Sequence, residues 1–172
     1  EALDETLNSK ELDPAYKALA LSLPNDQAIA RQIAADVDPD RIHAVRGQLI
    51  TALVARLAPA LEKIYLTNDS RLAYSPDFQQ TGRRSMKNMA LSLLVQGGAT
   101  DATRLAREQY SRALNMTDRL AALGTVVHAW TDDAQGLLDD FRDRFTADPL
   151  VLDKWLSLNA MASDEGVVER MR

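Results

Sequence analysis

His43 and His128 are the two histidines of this chain, and imidazole is the side chain best suited to hold a metal or move a proton near neutral pH. A helical zinc site needs a second histidine or a carboxylate at helical spacing, as in His-Glu-x-x-His, and neither histidine stands in such a pattern. Arg41 and Arg46 flank His43 and disfavour a further cation, while His128 falls near a helix C-terminus, where an imidazolium is mildly favoured. Both read as structural. Asp36, Asp38 and Asp40 have the spacing that opens a calcium loop, which then requires glycine at its sixth position and glutamate at its twelfth. Arg41 and Gly47 occupy those positions and Pro39 interrupts the run, so the carboxylates read as complements to a helix N-terminus.

Nucleophile and phosphate signatures fail too. Ser85 sits in Gly-Arg-Arg-Ser-Met, without the second glycine of a nucleophile elbow and inside a helical pattern. No lysine follows Gly97-Gly98. Arg83, Arg84 and Lys87 make a small basic patch, read as a solvated helix face in preference to an anion or partner site. Asp132, Asp133, Asp139, Asp140 and Asp143 are interleaved with Arg142 and Arg144, again a surface pattern. Trp130, Trp155, Phe141 and Phe145 fall on apolar faces and read as core. The residues offer no catalytic, cofactor-binding or metal-ligating candidate.

The elements that carry these residues are helical. Asp38 is a good N-cap, Pro39 suits the first helical position, and Ile42, Val45, Leu49, Leu53, Leu57, Leu61 and Ile64 then recur at helical spacing. That predicts a long rod to about Thr67, kinked at Pro59. Before it, short helices follow Asp13-Pro14 and Asn25 or Asp26, the second with Ile29, Ile33 and Val37 on its apolar side. After it, Ser75-Pro76 begins a helix that carries Met86, Met89 and Leu93 and ends at Gly97-Gly98. N-cap candidates then recur at Thr100, Asn115, Thr131, Asp148 and Ser163. This rhythm makes two helices per ~32 residues, the period of a helical-hairpin array. No stretch has strand alternation. The expected fold is all-α: antiparallel helical hairpins stacked in a right-handed superhelix of the armadillo/HEAT kind, with an irregular helical bundle as the alternative. Residues 1–172 read as one helical segment.

Composition narrows the classes. Hydrophobic residues at 46% and charged residues at 26% are ordinary for a globular domain, and a net charge of −5 gives no basic excess to seek nucleic acid. The absence of cysteine excludes disulfides, thiolate metal sites and a cysteine nucleophile. No apolar run is long enough to span a membrane, and no signal-like segment opens the chain. A cytoplasmic location fits. Glu1 and Arg172 both fall within helical patterns, so a longer parent is expected.

Three blocks carry a resemblance: Asp38-Pro39-Asp40-Arg41-Ile42-His43-Ala44-Val45-Arg46; Leu114-Asn115-Met116-Thr117-Asp118 with Leu120-Ala121-Ala122-Leu123; and Leu152-Asp153-Lys154-Trp155. In this order and spacing they resemble the C-terminal helical domain of bacterial aminopeptidase N, a family of zinc metallo-exopeptidases that trim peptide N-termini. The likeness spans nearly the whole chain and a middle portion of that domain. The family's zinc ligands, in His-Glu-x-x-His and a later glutamate, and its substrate-gripping Gly-x-Met-Glu-Asn segment have no counterpart here. The resemblance therefore implies a non-catalytic segment that covers the catalytic domain of its own parent chain and limits peptide access. It implies zinc in the parent and none in this segment. A free-standing helical-repeat module that binds a protein or peptide is the alternative, and a small helical enzyme the third and least supported reading.

Overall fold

The computed structural model describes residues 2–9, 11–70, 72–162, 164 and 166–170, with Ala2 by its backbone alone. Among the described residues the regular structure is entirely helical, in ten helices. The chain packs as two compact units, residues 1–99 and 100–172.

The first unit holds α1 (Ala2–Asn8), α2 (Pro14–Ala20), α3 (Asp26–Ile33), α4 (Pro39–Asn68) and α5 (Phe78–Gln96). Side chains cap four of these helices. Asp13 accepts from Tyr16 N at 2.9 Å, Asn25 from Ala28 N at 2.8 Å, Asp38 from Arg41 N at 3.0 Å and Asp77 from Gln80 N at 2.9 Å. The last cap differs from the sequence expectation. The Asp77 carboxylate takes the role given to Ser75, whose hydroxyl instead accepts from Asp77 N at 3.2 Å. As the stronger acceptor at a helix start, the carboxylate wins.

α4 runs unbroken through Pro59. Ala55, whose carbonyl loses its donor, and Pro59 are both exposed, so water can serve the freed oxygen. The buried row of α4 is Ile42, Ile50, Val54, Leu61 and Tyr65, while Val45 and Leu49 from the anticipated stripe are about half exposed. α5 lies antiparallel on α4: Asp69, just past the end of α4, meets Lys87, while the earlier Val54 lies under Gly97. Ala90, Leu91 and Leu94 are fully covered there. On its other side α5 takes α2, where a Cβ on Gly82 would come within 3.2 Å of Ala15 N. Leu7, Ala18, Leu21 and Met86 close this core.

The end of α5 shows why two glycines stand there. Ala99 N donates to Leu94 O at 2.9 Å and Gly98 N to Val95 O at 3.1 Å, the double bond of a Schellman terminus. Gly98 supplies the left-handed residue at φ 71°. Gly97 has ordinary dihedrals, and its need is space, since a Cβ would sit 2.4 Å from Val54 Cβ.

The second unit holds α6 (Ala102–Arg112), α7 (Met116–His128), α8 (Ala134–Arg144), α9 (Pro149–Ala160) and α10 (Val167–Arg170). Ala106, Ala122, Leu123, Val126, Ala134, Leu138 and Phe141 form its water-free centre. Asn115 caps α7 through Asp118 N at 2.8 Å, and Asp148 caps α9 through Leu150 N at 3.1 Å. Two anticipated caps are displaced. Asp101 precedes α6 and Asp133 precedes α8, neither with a side-chain cap bond, so Thr100 and Thr131 do not serve. Ser163 lies outside the described residues, as do Met171 and both chain ends. α7 also ends in a Schellman pair, Thr131 N to Val126 O and Trp130 N to Val127 O, with Trp130 in the left-handed position at φ 43°.

Two glycine substitutions separate space from flexibility. Gly97→Ala should destabilise the first unit by about 1–3 kcal/mol through overpacking on Val54. Gly47→Ala, on open mid-helix surface with nothing within 4 Å of its added Cβ, should stabilise it by about 0.5–1 kcal/mol. Urea unfolding midpoints read both, and equal midpoints for the two variants would refute the packing account.

Candidate functional site

The basic patch is the first place where the structure overturns the sequence reading. Arg83 is exposed as expected, but Arg84 and Lys87 are buried, at 9% and 3% exposure. The connector between α4 and α5 folds back over them. Arg84 Nη2 donates to Ser75 O at 2.9 Å and Thr81 Oγ1 at 3.0 Å, and Nη1 donates to Gln80 Oε1 at 3.3 Å. The same Gln80 oxygen accepts from Ser75 N at 3.1 Å, and the guanidinium lies 4.8 Å from the Tyr74 ring centre. Lys87 Nζ reaches Asp69 Oδ1 at 3.2 Å. The two cations clamp the loop that joins the two longest helices, and their donors are turned toward protein instead of a ligand.

A second polar cluster was not anticipated. Tyr110 is 1% exposed, and its hydroxyl donates to Asp140 Oδ2 at 2.6 Å. Arg144 Nε donates to the same oxygen at 2.6 Å. Arg119 bonds the carbonyls of Tyr110 and Ala113 at 2.8 and 2.7 Å, and both arginines lie within 6 Å of the Tyr110 ring centre. Burial, then the Asp140 carboxylate, pushes the Tyr110 phenol above its ordinary value. Burial alone would raise Asp140, but the Tyr110 hydroxyl and Arg144 together hold its carboxyl below the usual range. The cluster ties α6 to α8. The signal missed in the sequence was a tyrosine on the apolar side of α6; its partner lies thirty residues on.

Both histidines are exposed. His43 Nδ1 bonds Asp26 Oδ2 at 2.9 Å on an exposed edge, with Arg46 Nε donating to Pro24 O at 2.8 Å beside it. His128 is exposed in the last turn of α7. Asp38 is the N-cap of α4 and Asp40 lies in its first turn, as expected of carboxylates at a helix start. Among the described residues, no three His, Asp or Glu side chains come together as metal ligands, and these residues do not fit a zinc ion. Of the aromatic residues, Phe141 is fully buried with the Phe145 ring tilted against it at 4.8 Å between centres, and Trp155 Nε1 donates to Leu138 O at 3.0 Å. Trp130 lies beyond its helix, under the Arg170 guanidinium at 4.1 Å.

The three resemblance blocks fall on element starts and faces: the first opens α4, the second opens α7, and the third lies in α9. Asp118 is buried at the α7 start, with Oδ2 accepting from Asn115 Nδ2 at 3.2 Å and its carbonyl accepting from Gln109 Nε2 at 3.0 Å. Asp153 and Lys154 are exposed while Trp155 is half-buried.

The family described as "Domain of unknown function (DUF3458_C) ARM repeats" matches residues 1–172. The chain belongs to that family. It is 32% identical over 172 residues to aminopeptidase N of Escherichia coli (strain K12), covering 100% of this chain and 20% of that protein. Aminopeptidase N of Caulobacter vibrioides is 30% identical over 99% of this chain, and that of Haemophilus influenzae 32% over 98%. The chain thus spans about a fifth of the length of the curated relatives it matches, and its homology is to the C-terminal part of aminopeptidase N. Among solved structures, a Legionella pneumophila aminopeptidase A in complex with aspartic acid superimposes with a TM-score of 0.81 over 96% of this chain and 20% of that one, at 22% identity. That likeness shows the fold. The all-helical, armadillo-type reading and the aminopeptidase N resemblance both hold.

Three substitutions test the clamps. Arg84→Ala should cost about 2 kcal/mol and hasten proteolysis between residues 69 and 77, Arg84→Lys should recover little because the fork is lost, and Arg83→Ala should stay within about 0.5 kcal/mol of wild type. An Arg84→Ala midpoint equal to that of Arg83→Ala would refute the clamp.

The Tyr110 bond predicts a pH dependence. Its raised phenol contributes stability that is present below about pH 10, the unfolded value, and is lost as pH rises beyond it. Tyr110→Phe should lower stability at neutral pH by about 1–2 kcal/mol and show a smaller alkaline loss than wild type. Identical urea midpoints for the two proteins at both pH values would contradict this.

Proposed function

We propose that this chain is the helical, non-catalytic part of a larger zinc-dependent aminopeptidase, where it covers the catalytic part, bounds the reaction cavity and limits which peptides enter. The observation that carries the reading is the mismatch of extents: full coverage of this chain against one-fifth of aminopeptidase N. The polar clusters agree with it, since Arg84, Lys87, Tyr110 and Asp140 spend polar atoms on holding helices and a connector together. In this reading zinc and the groups that hold it come from other residues of the parent, which acts in the cytoplasm of a bacterium.

A helical-repeat binding module is the second reading. It draws on an open groove along α7 and α9 lined by Leu120, Leu150, Asp153, Lys154, Ser157 and Leu158, a surface a peptide could occupy.

The full-length parent should cleave aminoacyl-arylamides, lose that activity to a chelator and regain it with zinc, while the purified chain cleaves nothing. Cleavage by the purified chain, undiminished by chelator, would overturn the proposal. A parent chain without aminopeptidase activity that binds peptides through the α7–α9 groove would favour the second reading.

A further inference from the structure

We draw no further inference here: the strongest candidate, the open groove along α7 and α9 lined by Leu120, Leu150 and Leu158 with Asp153, Lys154 and Ser157, is an unpartnered face in a chain that spans a fifth of its relatives' length, and nothing in the structure shows what covers it.

Discussion

A helix of about a dozen residues does not hold together in water, so each of these helices depends on another one to cover it. That constraint organises both units. α5 has the best-covered side, with Ala90, Leu91 and Leu94 at zero exposure, and the elements of the first unit are arranged around it. α7 holds the same position in the second, through Ala122, Leu123 and Val126. Polar side chains then fix what apolar packing leaves free. Arg84 and Lys87 hold a connector, Tyr110 and Asp140 join two helices, and Arg119 closes a helix end. The sites with the most chemical promise are thus occupied in keeping rods in register.

The legible part of the fold was the part decided locally. Asp38-Pro39, Asn115 and Asp148-Pro149 start their helices as read, because a cap answers to backbone donors two or three residues away. What depended on distant partners was not legible. Arg84 and Lys87 looked solvated because nothing nearby in sequence says that Asp69, Tyr74 and Ser75 fold back over them. Along α4 two neighbouring apolar stripes were available. The one with Ile50, Val54 and Tyr65 is covered, and the choice was made by α5, not by α4's own pattern. Thr100 and Thr131 are sound cap residues by type, yet the chain enters α6 and α8 through Asp101 and Asp133.

Function was legible in a different way. The residues alone led to an all-helical segment with no reaction centre, and the three blocks that carried the aminopeptidase N resemblance are fold-specifying groups: a helix start, a buried cap and a tryptophan seated on Leu138. The faces that remain open, on α3–α4 and along α9, mark where the described helices stop covering one another.

The central claim is that the side chains of this chain build a shield and take no part in holding the metal of the reaction. Zinc titration calorimetry on the purified chain tests it most directly. The account predicts no stoichiometric binding. One zinc per chain, abolished by His43→Ala or His128→Ala, would contradict it.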